Sequence, residues 1–322
     1  MQQPHPMIVQ AFAIAGTGRN DEALQLIERL AATGHPEGLF TLGDTYWRGI
    51  LVPRDLARGR ELFRQASDAG DPTALRAYTN ILASGIGGAR DWRGALRRLR
   101  AEARIDGRRA LMLSLIEKMD LDDDGEPRSL PRIEKISDSP EVMLVPGLFS
   151  QAECDFLKLV AEPCYQESLV LDAQGAEQRD PIRTSDGSVI HWLIEDPATH
   201  ALNRRLAAAS GTGYDQGEPL LILRYRPGQQ YRKHYDALPG VDNQRFKTAL
   251  VYLNQGYEGG ETEFPKGDFM VRGRTGYAII FRNSLGNGRF DPMAEHAGRP
   301  VTSGVKYLAS RWIRERRHLP VV

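Results

Sequence analysis

A glycine signal returns at a fixed interval in the first third of this chain, and that interval limits the fold more than any other feature. Gly34-His35-Pro36, Gly70-Asp71-Pro72 and Gly107-Arg108-Arg109 stand 36 and 37 residues apart. A period of that size is one helix pair, which cannot bury its apolar face alone and must stack on a neighbour. The apolar residues agree: Ala23, Leu24, Leu26, Ile27 and Leu30, then Leu56, Leu62, Phe63 and Ala66, fall at helical spacing. After two of the glycine signals comes a helix of small and large apolar residues, Leu39, Leu42 and Tyr46, then Leu75, Tyr78, Ile81 and Leu82. Residues 1–120 are expected as an α-solenoid of helical repeats.

The grammar changes after residue 120. Residues 121–139 are rich in Asp, Pro, Ser and Gly and are expected as a linker. Asp120, Asp122, Asp124 and Gly125 imitate the first half of a calcium loop, but the twelfth position, which must supply a bidentate carboxylate, is Pro131. An acidic helix end entering a linker explains the run. Residues 140–322 read mostly as strand. Glu141–Val145 is extended, Ser150 with Glu153 forms a capping box for a helix through residue 160, and a second helix covers Pro197–Ser210. Short apolar runs follow at 220–225, 248–253, 277–281 and 306–313, separated by Gly, Pro and Asp. That spacing argues a sandwich or barrel with flanking helices.

Composition narrows the partners. Of 322 residues, 42 are basic and 42 acidic, so no overall field favours nucleic acid or an anionic membrane. Local clusters such as Arg97-Arg98, Arg108-Arg109 and Arg314 to Arg317 are read as solvated faces. The two cysteines, Cys154 and Cys164, are too few for a disulfide framework, and the start Met1-Gln2-Gln3-Pro4-His5 lacks the pattern of a signal peptide. No apolar stretch reaches membrane-spanning length. A cytoplasmic protein with reduced thiols is expected.

Three residues carry the chemistry. In His234-Tyr235-Asp236 a histidine and a carboxylate stand two apart, which on a strand sends both to one face. His296 lies sixty residues beyond Asp236, room for several strands to return it. Two imidazoles and a carboxylate on one face of an octahedral ion leave three positions open, the facial triad of non-haem Fe(II) oxygenases. Two open positions suit the keto acid of 2-oxoglutarate and the third suits O2. Lys306 follows His296 by ten residues, the separation of a turn to an adjacent antiparallel strand, and is expected to meet the distal carboxylate. Lys306, Leu308, Ser310 and Trp312 share a face, read as inward, with Trp312 deep in the pocket. On an earlier strand Leu221, Leu223 and Tyr225 share a face, and the Tyr225 hydroxyl can reach the same carboxylate. Thr248 is a further candidate for the cosubstrate. His5, His35, His191, His200 and His318 are read as surface or packing residues.

Longer strings now become informative. Leu223-Arg224-Tyr225-x-Pro227-Gly228-Gln229-x-Tyr231-x-x-His234-x-Asp236 resembles the catalytic signature of prolyl 4-hydroxylase alpha subunits. So do Thr248 to Asn254, Gly259-Gly260-Glu261-Thr262-x-Phe264-Pro265, and His296-Ala297-Gly298-x-Pro300-Val301 with Lys306 and Trp312; Arg183-Thr184-Ser185 matches an upstream segment. The resemblance covers about residues 142–313. It implies a double-stranded β-helix (jelly-roll), Fe(II) on His234, Asp236 and His296, 2-oxoglutarate and O2 as cosubstrates, ascorbate as reductant, and succinate and CO2 as co-products. By the same carry-over Tyr231 and Arg245 contact the peptide substrate. In the amino-terminal part, Gly43-Asp44-Thr45-Tyr46-Trp47-Arg48-Gly49, Asp55 and residues 60–70 resemble the tetratricopeptide-like repeats called Sel-like.

The substrate is expected to be a prolyl residue of a protein or peptide, since solenoids present long concave surfaces. Two other readings stay open: a hydroxylase of a free amino acid or other small molecule, and a repeat-based binding protein with an inactive barrel. Residues 172–190 and 237–245, rich in Gly, Asp and Arg, are expected as lids. The repeats also offer a surface for a homo-oligomer.

Overall fold

The computed structural model describes residues 3–171, 177–179, 182–286 and 289–318. Seven helices come first: α1 (Pro6–Ala15), α2 (Asn20–Ala32), α3 (Pro36–Arg48), α4 (Leu56–Asp68), α5 (Pro72–Ser84), α6 (Trp92–Glu102) and α7 (Gly107–Ile116). Each packs on the next. The repeat is written in their ends. Pro36 and Pro72 open α3 and α5, Gly49 and Gly85 close them with φ of 73° and 75°, and Asp55 and Asp91 cap α4 and α6. Proline at a helix start loses no hydrogen bond, glycine takes the left-handed exit without a Cβ clash, and each aspartate cap is worth about 1 kcal/mol. Helices α3 and α4 cross closely at two glycines: a Cβ on Gly59 would lie 3.0 Å from the Gly43 carbonyl oxygen.

The sheet-rich region follows. Its strands are β1 (Glu134–Asp138), β2 (Glu141–Val145), β3 (Gln166–Glu167), β4 (Asp186–Ile190), β5 (Leu220–Tyr225), β6 (Tyr231–His234), β7 (Arg245–Tyr252), β8 (Thr262–Phe264), β9 (Phe269–Val271), β10 (Ala278–Arg282), β11 (His296–Gly298) and β12 (Lys306–Arg314), with shorter ladders between. Eight of them form one sheet in the order β1-β2-β10-β7-β12-β5-β4-β3, and four form a second in the order β9-β8-β11-β6. Alternation decides which side chains go where. Ile222, Ala249, Val251, Ile280 and Ala309 face α8 (Gln151–Ala161) and α9 (Pro197–Ser210), whereas Leu221, Leu223, Leu250, Ile279, Phe281 and Leu308 face the four-stranded sheet. Two sheets closed over one core are the jelly-roll that the sequence led us to expect. The capping box forms, with Ser150 N–H donating to Glu153 Oε2 at 2.7 Å and Glu153 N–H to Ser150 Oγ at 3.3 Å.

The helices and the sheets share a core. Trp92, Leu99 and Leu115 belong to one apolar cluster with Leu157, Leu202 and Ile222. A buried polar chain crosses the same boundary: Arg109 pairs with Glu102 at 2.9 Å, donates to Asn80 Oδ1 at 3.1 Å, and Asn80 Nδ2 donates to the Leu193 carbonyl at 2.8 Å.

The expected linker is more ordered than its composition implied. Its last part is β1, the outermost strand of the large sheet, and Leu121 bridges Pro127. An edge strand pairs on one side only, so the polar sequence Glu134 to Asp138 suits it. The acidic run closes turns: Asp122 Oδ1 accepts from the amides of Asp124 and Glu126, and Ser129 Oγ donates to Asp120. Cys154 is buried and Cys164 exposed, both free. Among the described residues no helix is long and apolar enough to cross a membrane.

Candidate metal centre and cosubstrate pocket

The two histidines are brought together by strand pairing. β6 and β11 run antiparallel with His234 directly opposite His296, and the ring centroids lie 4.2 Å apart. Asp236 was expected on the same strand as His234. It lies two residues past it, because β6 ends at His234 and the chain turns there. The turn still delivers the carboxylate: Oδ1 is 3.5 Å from His234 Nε2 and Oδ2 is 3.5 Å from His296 Nε2. One ligand atom from each of the three residues lies within 4.8 Å of the others.

The donor set suits a divalent transition metal. Each imidazole has its Nδ1 against a backbone carbonyl, His234 on Arg232 at 2.7 Å and His296 on Ala294 at 3.0 Å. Carbonyls only accept, so Nδ1 carries the proton and Nε2 keeps its lone pair toward the centre. His234 Nε2 is buried without a hydrogen-bond partner, a cost that a bound cation would remove. Burial pushes the Asp236 carboxyl up, but His296, His234 and the Thr248 hydroxyl outweigh it and hold the group well below the usual carboxylate range. Burial pushes His296 down to about 4, keeping it neutral as a ligand must be.

Beside the triad runs a pocket between the sheets, lined by Tyr225, Tyr231, Thr262, Lys306, Leu308 and Trp312 among others. Lys306 stands directly across from Tyr225 in the pairing of β12 with β5. It is 2% exposed, and its Nζ donates to the Gly260 carbonyl at 2.7 Å. Burial pushes its pKa down to about 8, with Glu261 opposing the shift. No carboxylate lies within ion-pair distance of Lys306 among the described residues. A buried cation without a counter-ion is costly unless the site receives an anion. Room for it depends on glycine: a Cβ on Gly260 would lie 3.1 Å from Lys306 Cδ, and one on Gly259 would lie 2.2 Å from the Pro300 carbonyl oxygen.

Residues 220–314 match the model of the 2OG-Fe(II) oxygenase superfamily. Prolyl 4-hydroxylase 1 of Arabidopsis thaliana is 34% identical over 203 residues, which span 57% of this chain and 72% of the relative. The chain belongs to the prolyl 4-hydroxylase family of 2OG-Fe(II) oxygenases. It is therefore a 2-oxoglutarate-dependent dioxygenase. Among solved structures, a viral collagen prolyl hydroxylase of Paramecium bursaria Chlorella virus 1 is 26% identical at a TM-score of 0.42, covering 56% of this chain and 98% of that one. A Sel1 repeat protein of Oxalobacter formigenes is 19% identical at a TM-score of 0.31, covering 35% and 48%.

Within this prolyl 4-hydroxylase fold the remaining expectations divide. The inward face of β12 is as read: Lys306, Leu308, Ser310 and Trp312 all line the pocket. The route to Lys306 differs. His296 is in the four-stranded sheet and Lys306 in the eight-stranded one, so the chain crosses between sheets instead of turning to an adjacent strand. Between them, residues 301–303 pair with residues 258–259. Thr248 is fully buried, and its Oγ1 donates to Asp236 Oδ2 at 2.5 Å while accepting from Asn283 Nδ2 at 2.8 Å, so its hydroxyl meets the metal carboxylate.

Tyr231 stacks on His234 with centroids 3.5 Å apart, so it borders the triad. Arg245 is engaged. Its fork meets Glu218 at 2.6 and 2.8 Å and its Cζ lies 3.9 Å from the Trp312 ring centre. Glu218 also takes Arg314 at 2.6 Å. Sequence reasoning missed Asn283, Glu218 and Thr262, a pocket residue whose Oγ1 accepts from the Tyr252 hydroxyl at 2.8 Å. Only Thr262 carried a signal, its place after Gly259-Gly260-Glu261. His200 is a packing residue as read, fully buried with Nδ1 2.8 Å from Glu195 Oε1. Of the two expected lids, residues 172–176 and 180–181 lie outside the described residues, residues 186–190 are instead β4, paired with β5 in the large sheet, and residues 237–244 form turns before β7.

Proposed function

We propose that the enzyme hydroxylates prolyl residues of a protein or peptide at carbon 4, with ascorbate as the reductant that restores the metal. The observation that carries this reading is the triad His234, Asp236 and His296 beside a buried Lys306 with no counter-ion among the described residues, in a chain 34% identical over 203 residues to a prolyl 4-hydroxylase. His234, Asp236 and His296 would hold Fe(II). Iron held there would, with 2-oxoglutarate and O2, supply the oxidising chemistry that turns a C–H bond into C–OH while the keto acid becomes succinate and CO2.

The chain's own residues do the positioning. Lys306 would pair with the distal carboxylate of 2-oxoglutarate, with the Tyr225 hydroxyl as a second donor held neutral by a pKa pushed up to about 12. Leu308 and Trp312 line the pocket and exclude water, which strengthens that pair. Tyr231, stacked beside the metal, and Arg245, turned by Glu218 onto Trp312, are the residues that would meet the acceptor. Position relative to the metal selects the C–H bond. The free thiols of Cys154 and Cys164 support a cytoplasmic setting, and we read residues 1–120 as a repeat unit that presents the acceptor or a second copy of the chain.

Proline-rich peptides incubated with Fe(II), 2-oxoglutarate and ascorbate should gain one oxygen on proline by mass spectrometry. Succinate release with free amino acids and no modified peptide would overturn the prolyl reading and leave the dioxygenase intact.

A further inference from the structure

A cavity of about 440 Å3 opens between two loops of the sheet-rich region: residues 255–257, which follow β7, and residues 272–274, which join β9 to β10. It shares no residue with the metal and cosubstrate pocket. Its lining is polar, for besides the ring of Tyr257 it consists of Gln255, Gly256, Arg272, Gly273 and Arg274. Both walls are held in place. Asn254 Nδ2 donates to the Val305 carbonyl at 2.7 Å and its Oδ1 accepts from the Tyr307 N–H at 2.8 Å, which fixes the first loop at the start of β12. Gly273 lies against Tyr252, where a Cβ would come within 2.1 Å of ring Cδ1. With that side of the second loop occupied, the two flanking arginines are left to the cavity.

The lining carries positive charge and no negative charge. Arg272 and Arg274 have no ion-pair partner among the described residues, and no carboxylate lines the cavity with them. Glu261 acts on the Tyr257 hydroxyl with the sign opposite to Arg272, but it stands outside the lining and pairs with neither arginine. Tyr257 itself supplies a second observation. It is 5% exposed, and its buried hydroxyl has no hydrogen-bond partner among the described residues. An unmade bond of that kind is costly, and a ligand in the cavity would remove the cost. Burial pushes this hydroxyl up to about 12, so at neutral pH it is a neutral donor.

We propose that this cavity binds the phosphate group of a small polar phosphate ester, with Arg272, Arg274 and the Tyr257 hydroxyl as its donors. Guanidinium forks match phosphate oxygens two at a time, and three terminal oxygens can serve two forks and a hydroxyl together. A carboxylate has one oxygen too few for that set. The volume exceeds what a bare phosphate fills, so the rest of the ester has room. Gln255 and the glycine backbones meet it with polar groups, and the Tyr257 ring is the one large apolar surface in the lining, which favours a polar body over a lipid tail.

The test is calorimetry on the full-length protein with glycerol 1-phosphate, inorganic phosphate and a phosphoserine peptide as probes. Iron is left out because phosphate would chelate it, so the result does not depend on the hydroxylase reading. Glycerol 1-phosphate should bind saturably at one site and weaken as salt rises. Arg272→Ala with Arg274→Ala should weaken it at least about tenfold, and Tyr257→Phe about fivefold, while thermal unfolding of the free protein stays near that of the parent. Lys306→Ala should leave this binding unchanged, since Lys306 belongs to the other pocket. Absence of saturable binding, or binding lost in Lys306→Ala and kept in the double arginine variant, would overturn the proposal. Full restoration by Arg272→Lys with Arg274→Lys would mean diffuse surface charge in place of a site, and binding of the phosphopeptide alone would exclude a small ester; either result sinks the assignment.

Discussion

Thr248→Val separates two ways of reading a threonine beside an iron site. The hydroxyl is fully buried, donates to Asp236 Oδ2 at 2.5 Å, and accepts from Asn283 Nδ2 at 2.8 Å. Valine keeps the shape and removes both bonds. A hydrogen bond to a charged group contributes about 1.5–3 kcal/mol, and loss of a partner that orients a metal ligand costs about 10–100-fold in metal affinity. The two figures agree, since 1.4 kcal/mol is about tenfold. The substitution should therefore weaken Co(II) or anaerobic Fe(II) binding by about 10–100-fold. The 2-oxoglutarate constant measured at saturating metal should stay near that of the parent. Thr248→Ser should restore metal binding, because it returns the hydroxyl. Metal titration by absorption or calorimetry reads the first effect and competition with a 2-oxoglutarate analogue the second. Unchanged metal affinity with weakened 2-oxoglutarate would refute the positioning role and return Thr248 to the cosubstrate.

Lys306→Ala should raise the apparent 2-oxoglutarate constant by about 3–5 kcal/mol worth of affinity, orders of magnitude, while metal still binds, as read by calorimetry with Fe(II) under nitrogen. The Lys306 ammonium, pushed down to about 8 by burial, is charged below that pH and neutral above it. Affinity for 2-oxoglutarate in the parent should accordingly be full below about pH 8 and fall as pH rises through it, and this dependence should vanish in Lys306→Ala; a flat profile in the parent argues against the pairing. Glu218→Ala frees the guanidinium of Arg245, so KM for a peptide acceptor should change more than the 2-oxoglutarate constant. Glu102→Ala strands the buried charge of Arg109, and chemical denaturation should show a loss of about 3–5 kcal/mol.

Local rules made much of this molecule legible. The 36-residue return from Gly34 to Gly70 reported helix pairs because the same cap and exit chemistry recurs in each: Asp55 and Asp91 at one end, Gly49 and Gly85 at the other. The inward face of β12 followed from alternation, since Lys306, Leu308, Ser310 and Trp312 are two residues apart and a strand sends them to one side. His234, Asp236 and His296 could be named because few residue types ligate iron and their order in the chain is distinctive.

What the sequence could not decide were relations between residues far apart in the chain. Alternation on β7 puts Thr248 on the face of Leu250, but nothing local says that it meets Asp236 there; that depends on the turn after His234 and on the pairing of β7 with β10, which brings Asn283 behind it. The step from His296 to Lys306 crosses between two sheets, and a ten-residue count cannot distinguish that from a turn within one. Arg245 is held on Trp312 by Glu218, a residue 27 positions away. The helices and the sheets share a core because α5 and α7 pack on α9. Side-chain type and spacing determine which groups are available and which face they leave from. Which groups then meet depends on the packing of whole elements, where the free energy comes from burial summed over many distant contacts.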